Sequence, residues 1–336
     1  MKILLGSHFF SPSVGGIETC SLALAREFRS VGHEVRIITQ SLSNDSRDDH
    51  GFDVLRNPKR REIISAIRWC DVFYQNNISI QTAWPLVFIK KPWFVTTATW
   101  LGQDENAIGR TGNLKRLLLR FARNIYISEA IAKHVGYPGP VLGNAYDNET
   151  FTLHPEVTRE RDIVFLGRLV SDKGCDLLID ALRILKLKGV QPTTTIIGDG
   201  PDRKALEQQA INTDLQTQIH FVGKMSGDTL AKELNRHRVI AIPSRWNEPF
   251  GIVALEGMAC GCFPVVSSGG GLPEATGRHG VIFENCDASG LAKAIQSAID
   301  ATSNGVPDYS SHLENYKAHT VARRYLDEFA QAIVER

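Results

Sequence analysis

The sequence predicts an α/β protein built as two doubly wound parallel sheets. Three observations predict it. Short β-branched runs alternate with helical patterns from end to end, the alternation runs once before and once after a polar stretch at Thr152–Asp162, and 336 residues suffice for two domains. Strands separated by helices cannot pair as hairpins, so each connection is a crossover and the pairing is parallel.

In the first half the strands read at Lys2–Gly6, Val35–Thr39, Val72–Gln75, Phe94–Thr97 and Asn124–Ile127. Helices read at Ile17–Ser30, where Leu22, Ala25 and Phe28 fall at helical spacing, and at Glu62–Trp69. In the second half the strands read at Asp162–Phe165, Thr194–Ile197, Ile219–Val222, Val239–Ile242 and Phe263–Val266. The helices between them read at Gly174–Leu187, Arg203–Ile211, Thr229–Asn235, Gly251–Ala259 and Ala288–Ala301, with a last one over Thr320–Val334. The polar stretch carries Pro155 and several charges and reads as the linker. The expected domains are 1–152, 153–318 and a terminal helix at 319–336 that crosses back to the first.

Composition excludes several classes. The hydrophobic share of 43% and charged share of 22% are those of a globular chain, and a net charge of +1 offers no field for nucleic acid. The charge is uneven: residues 1–152 hold 18 Lys and Arg against 14 Asp and Glu, which is +4, and the rest hold 20 against 23, which is −3. Cys20, Cys70, Cys175, Cys260, Cys262 and Cys286 are scattered without a Cys-x-x-Cys pair, so buried reduced thiols are expected. The apolar run after Met1 stops at polar Ser7 and His8, short of a signal peptide, and no run approaches the 18 or so residues of a membrane span. A cytoplasmic protein is expected.

The segment richest in chemistry runs from Pro243 to Glu256. Glu248 precedes Pro249, which keeps it out of helical space, and Pro249 with Gly251 suits entry to a helix that buries Ile252, Val253 and Leu255. Glu248 then projects from a loop at a strand's carboxyl end, while Glu256 lies about a turn and a half into the helix. Two ionised carboxylates accept hydrogen bonds only, which suits the vicinal hydroxyls of a sugar and a ribose. The helix start offers free N–H groups to a phosphate. By themselves two glutamates read equally as a solvated loop acid and a surface helix residue.

Their surroundings carry a resemblance. The E-x7-E spacing around Glu248-Pro249-Phe250-Gly251, followed by Gly257-Met258-Ala259-Cys260-Gly261 and Gly269-Gly270-Gly271-Leu272-Pro273-Glu274, resembles family 4 retaining glycosyltransferases of the GT-B fold. Further motifs stand in the same order: Gly15-Gly16-Ile17-Glu18, Asn144-Ala145-Tyr146-Asp147 with Phe151, Gly167-Arg168-Leu169 with Lys173-Gly174, and Gly198-Asp199-Gly200-Pro201. The resemblance covers most of the chain and is densest from about 140 to 300.

It implies two Rossmann-like domains facing a central cleft, the first binding an acceptor and the second a nucleotide-sugar. It also implies that Glu248 holds the donor sugar, Glu256 the ribose, and Arg168 and Lys173 the departing diphosphate. Gly15, Gly16, Gly167, Gly198, Pro249, Phe250, Gly251 and Ile252 are the further donor-binding positions. The electrostatics agree, because breaking a sugar–phosphate bond gathers negative charge that fixed cations stabilise in the transition state. Two protein cations take the place of a metal, and no DxD-like pair stands ready to hold one, so no metal and no cofactor is expected. Gly198-Asp199-Gly200 imitates a dinucleotide fingerprint, but Arg203 occupies the place of its third glycine, against an NAD site.

The chain departs from the family at one place. Val95-Thr96-Thr97-Ala98-Thr99-Trp100-Leu101-Gly102 lacks the histidine that many relatives carry there, and His8 and His33 are the nearest substitutes in sequence. In a front-face displacement the leaving phosphate oxygen can accept the acceptor's proton, and positioning supplies much of the rate.

On the acceptor side, Trp100–Asn113 reads as a loop without clear period. Leu114–Arg123 reads as a basic amphipathic helix with Lys115, Arg116, Arg120 and Arg123, suited either to core packing with a solvated basic face or to peripheral contact with the inner face of an anionic membrane. The expected partners are a UDP-sugar first and a GDP-sugar next, with a glycan, lipid-linked or small-molecule acceptor and no nucleic acid. A nucleotide-sugar epimerase, a glycan phosphorylase and an inactive sugar-nucleotide-binding protein remain as alternatives.

Overall fold

The computed structural model describes all residues except Val14, 103–107, Asn304, Val306 and Arg336. The chain forms two compact units, Met1–Ala145 with Tyr316–Arg336, and Tyr146–Asn315. The first unit thus ends short of residue 152. Residues beyond 145 are held by the second: Asn235 donates from Nδ2 to the Thr152 carbonyl at 2.9 Å and accepts at Oδ1 from the His154 N–H at 2.7 Å.

Each unit is a parallel sheet of six strands among the described residues, as the sequence predicts. In the first unit the strands are β1 (Lys2–Ser7), β2 (Glu34–Thr39), β3 (Asp53–Arg56), β4 (Val72–Asn76), β5 (Trp93–Thr97) and β6 (Arg123–Tyr126), in the order β3-β2-β1-β4-β5-β6. In the second they are β7 (Arg161–Leu166), β8 (Thr194–Ile197), β9 (Ile219–Gly223), β10 (His237–Ile242), β11 (Phe263–Ser267) and β12 (Val281–Phe283), in the order β12-β11-β10-β7-β8-β9. The inner strands are buried on both faces and read as near-continuous apolar runs, which is why they were legible.

The two strands absent from the sequence reading, β3 and β12, are both sheet edges. They are four and three residues long and expose part of each side chain set, so they lack the apolar run that marks an inner strand.

The second unit's core gathers Ile163, Phe165, Leu178, Leu182, Ile196, Val239 and Val265 with Leu291 and Ile295 of the helix Ala288–Thr302. In the first unit the terminal helix Ala318–Val334 supplies Val321, Tyr325 and Phe329 to the core around Phe28, Tyr74 and Phe94. Phe329 meets Phe94 with ring centroids 4.7 Å apart, and the Tyr325 hydroxyl hydrogen-bonds Thr96 at 2.9 Å. Buried aromatic area of this kind fixes a helix that has no covalent reason to stay.

Several local expectations are corrected. Helix Gly109–Leu119 takes in Gly109–Asn113, which read as loop, and ends before Arg120; residues 103–107 of that stretch lie outside the described residues. Arg123 opens β6 instead of closing a helix, and its guanidinium pairs with Glu335 at 2.6 Å. The other cysteines are buried, but Cys286 is exposed. Helix Ile252–Ala259 buries Ala254 and Leu255 fully, while Ile252 and Val253 are half-buried. No helix among the described residues is long and apolar enough to cross a membrane.

Candidate functional site

Strands β7 and β10 are neighbours, with Ile163 opposite Val239 and Phe165 opposite Ala241. The strand order reverses between them, since β8 lies beyond β7 and β11 beyond β10. Loops leaving two such strands diverge, and ligands of doubly wound sheets bind in the opening at the carboxyl ends. Lys173 comes from the loop after β7 and Glu248 from the loop after β10.

The glycines explain how these loops meet. Gly174 has φ +67° and ends the turn Ser171–Lys173; a Cβ on it would stand 1.9 Å from the Pro243 carbonyl oxygen. The loops are then stitched by the N–H groups of Arg245 and Trp246, which donate to the Asp172 carbonyl at 2.9 and 3.3 Å. The glycine run after β11 does the same from the other side. Gly270 has φ +70° and its Cβ would lie 2.0 Å from the Glu248 carbonyl oxygen, to which the Gly271 N–H donates at 2.7 Å. Glu248 is clamped between two chain crossings that only glycine permits.

Its carboxylate Oε1 accepts from Lys173 Nζ and from the Ser244 hydroxyl, the latter at 2.8 Å. The Lys173 and Glu248 side chains keep 23% and 13% of their exposure, so the pair is shielded but open to a ligand. The Lys173 ammonium also lies 5.7 Å from the centroid of the Trp246 ring, within cation–π range. Arg168, two residues past the end of β7, is exposed and has no carboxylate partner among the described residues. Its loop is fixed by its neighbour: the Leu169 N–H donates to the Asp199 carbonyl at 3.0 Å. Gly167 and Gly198 are pressed together, a Cβ on Gly198 standing 1.8 Å from the Gly167 carbonyl oxygen, so both first serve the crossing of these loops.

Pro249 and Phe250 are buried beneath the loop, and Gly251, at φ +122°, precedes the helix that begins at Ile252. Glu256 is half-buried in that helix. Burial, and secondarily the nearby Asp147 carboxylate, push its carboxyl up to about 7. Asp147 itself accepts at Oδ1 from the N–H groups of Glu149 and Thr150 at 3.2 and 3.1 Å.

The structure brings Lys173 and Glu248 into contact and places Arg168, Gly167 and Gly198 on loops at the same sheet edge. It does not pair Arg168 with Lys173. Ser244 and Trp246, which both touch this pair, were missed; the position of Ser244 two residues past the end of β10 was the available signal.

In the first unit, Gly15 and Gly16 follow β1 and open the helix Gly16–Ser30. A Cβ on Gly15 would stand 2.5 Å from Glu18 Oε2, so that carboxylate folds back over the helix start. His8 is exposed just past the carboxyl end of β1. His33 hydrogen-bonds the Met1 amino group at 3.1 Å, at the opposite end of the strand. His33 therefore cannot serve chemistry at the carboxyl edge.

Residues 148–317, just over half of the chain, match the family described as Glycosyl transferases group 1. An uncharacterized glycosyltransferase of Methanocaldococcus jannaschii is 43% identical over 116 residues, 34% of this chain and 29% of the relative, so the match spans under a third of that protein's length. The phosphatidylinositol N-acetylglucosaminyltransferase gpi3 subunit of Schizosaccharomyces pombe is 29% identical over 342 residues, covering 87% of this chain and 72% of the relative. Among solved structures, Anabaena HepE in complex with UDP superposes with a TM-score of 0.82 at 20% identity, covering 98% of this chain and 100% of that one. The fold is GT-B.

Proposed function

The chain belongs to the Glycosyl transferases group 1 family, and from that premise we propose that it is a retaining, metal-independent transferase moving a sugar from a nucleoside diphosphate donor to an acceptor hydroxyl. The observation that carries the reading is the Lys173–Glu248 pair at the point where the second sheet reverses its strand order.

In this reading the donor pyrophosphate lies toward Lys173, Arg168 and the start of the helix Cys175–Leu187, where free N–H groups add to the positive field. Lys173 then bridges phosphate and carboxylate, while Glu248 accepts from the sugar hydroxyls. The ribose diol donates to Glu256. As the bond from the sugar's anomeric carbon to the phosphate oxygen breaks, its electron pair stays on phosphate, and both cations stabilise that charge. The acceptor oxygen bonds the anomeric carbon from the same face, and its proton passes to the departing phosphate oxygen. No protein base is required, which suits a chain whose stretch Val95–Gly102, at the end of β5, holds no histidine.

UDP is the first choice of nucleotide, supported by the UDP complex of Anabaena HepE, with GDP next. The first unit selects the acceptor, a glycan, a lipid-linked sugar or a small molecule. The phosphatidylinositol transferase among the relatives supports a lipid-linked one, with peripheral contact of the 114–123 segment at the inner face of the membrane. The decisive experiment is transfer from UDP-sugars to an acceptor panel, reading the anomeric configuration of the product by NMR. A product of inverted configuration ends the retaining reading, and no transfer from any UDP- or GDP-sugar ends the whole.

A further inference from the structure

The loop that carries Glu248 is also held from β12, by a side chain that no sequence motif singled out. Past β12 the chain makes a β-turn over residues 284–287, closed by the Asp287 N–H donating to the Glu284 carbonyl at 3.1 Å. Cys286 takes φ +63° in this turn, and Asp287 caps the helix Ala288–Thr302. Asn285, half-buried, thus leaves a turn braced by a strand before it and a helix after it.

Both ends of the Asn285 amide are used. Oδ1 accepts from the Gly269 N–H at 2.9 Å and from the Ser268 hydroxyl at 3.3 Å. Nδ2 donates to Asn247 Oδ1 at 3.0 Å and, more weakly, to the Arg245 carbonyl at 3.5 Å. A backbone N–H can meet only the oxygen of an amide, so Gly269 fixes which way this one points and leaves its NH2 group to Asn247. Gly269 belongs to the loop after β11 and Asn247 to the loop after β10. One side chain therefore joins three loops at the carboxyl edge of the second sheet.

The residues it grips border the crossing that clamps Glu248. Asn247 precedes Glu248, and Gly269 precedes the Gly270-Gly271 pair that meets the Glu248 carbonyl. A Cβ on Gly269 would stand 1.8 Å from Asn247 Oδ1 and 2.5 Å from Asn285 Nδ2, so the loops touch where Asn285 bridges them. From the β7 side the same loop is held by the Asp172 carbonyl and by Arg245, whose Nη2 lies 2.5 Å from Asp176 Oδ2. Since β10 lies between β7 and β11, the Glu248 loop is gripped from both flanks.

We propose that Asn285 is a positioning residue for sugar transfer, holding the Glu248 loop, through Asn247 and Gly269, where the carboxylate meets Lys173. This role rests on the proposed transfer reaction and adds a residue to it. A carboxylate aimed at sugar hydroxyls loses its effect when displaced by a fraction of an ångström, whereas the diphosphate is held from the β7 side. Loss of Asn285 should therefore act on turnover and spare nucleotide affinity.

The test compares Asn285→Ala, Asn247→Ala, their double variant and Ser268→Ala with the native chain, measuring kcat with a UDP-sugar and the affinity for UDP. Asn247→Ala leaves Gly269 tied to Asn285, so it carries the test if Asn285→Ala folds poorly. Expected are a fall in kcat of at least about 10-fold in both single variants and little further loss in the double. UDP affinity should stay within about 2-fold throughout, and Ser268→Ala should keep its turnover to the same margin. Asn285→Ala in a Glu248→Ala background should cost nothing more. Full turnover in both single variants would overturn the proposal, as would UDP affinity falling in step with kcat, or an equal loss in Ser268→Ala, because each points to general loosening. Amide hydrogen exchange reads the clamp without activity: the Gly271 N–H, held by the Glu248 carbonyl, should exchange at least about 10-fold faster in Asn285→Ala. Unchanged exchange there would overturn the clamp alone. Absence of transfer by the native chain would instead remove the transferase reading and any role in transfer with it.

Discussion

A Cβ on Gly174 would stand 1.9 Å from the carbonyl oxygen of Pro243, and this contact between the loops after β7 and β10 sets where Lys173 meets Glu248. Any side chain at 174 must push the loops apart, and its φ of +67° adds strain. Gly174→Ala is expected to destabilise the protein by about 2 kcal/mol or more and to lower turnover together with it. Urea unfolding and steady-state kinetics check this; unchanged values for both would show that the loops adjust freely.

Lys173→Ala and Glu248→Ala are each expected to lower turnover by at least about 10²-fold, the scale of losing one transition-state electrostatic contact. Because the side chains touch, the double variant should lose much less than the product of the two singles. Strict multiplicativity in the cycle would mean that the two residues act independently.

Glu256 gives a pH signature. Its carboxyl is raised from an unfolded value of 4.5 to about 7, so the native state holds a proton that the unfolded chain releases. Its contribution is complete below about pH 4.5 and is lost as pH rises to about 7, at most about 3 kcal/mol. His237 runs the other way. It is buried, its Nδ1 at 2.7 Å from the Glu233 carbonyl and its Nε2 at 2.8 Å from the Thr195 hydroxyl. Burial pushes it down to about 4, so its contribution is present above its ordinary value of 6.5 and disappears as pH falls toward 4. Glu256→Gln should remove the first trend and leave the second, making the variant's stability fall more steeply than the native protein's between pH 7 and 4.5. Parallel stability profiles would show that Glu256 ionises normally. Donor affinity should also weaken below about pH 7 in the native protein, since an ionised carboxylate is the better acceptor for a diol.

UDP should raise the melting temperature more than GDP or ADP at equal concentration, by mass action on the native state; at a hundred times Kd the gain is about 2.7 kcal/mol. Transfer should proceed unchanged in EDTA. A requirement for added magnesium would remove the role given to Arg168 and Lys173.

The inner strands and the glycine-marked loops were legible because each states a local demand. A strand buried on both faces must be apolar along its length, as in Val239–Ile242, and Gly174, Gly251 and Gly270 stand where the backbone takes positive φ. The edge strands β3 and β12 were not legible, because a short strand with one open side makes no such demand. The segment after Trp100 misled for a related reason: Gly109 and Gly112 are poor helix formers, yet Gly112 is required in the helix because a Cβ there would lie 2.5 Å from the Leu101 carbonyl oxygen.

Residue types and their order thus determined two doubly wound sheets, the loops at their carboxyl ends, and a carboxylate and a lysine worth testing. Only the folded chain decided that these two make a pair, that Ser244 and Trp246 attend them, and that Phe121 lines one groove with Lys90 and Arg123. Periodicity reports what one segment does against its own neighbours in sequence. Contacts between residues 75 positions apart, like Lys173 and Glu248, depend on which strands lie side by side, and that is a property of the whole sheet.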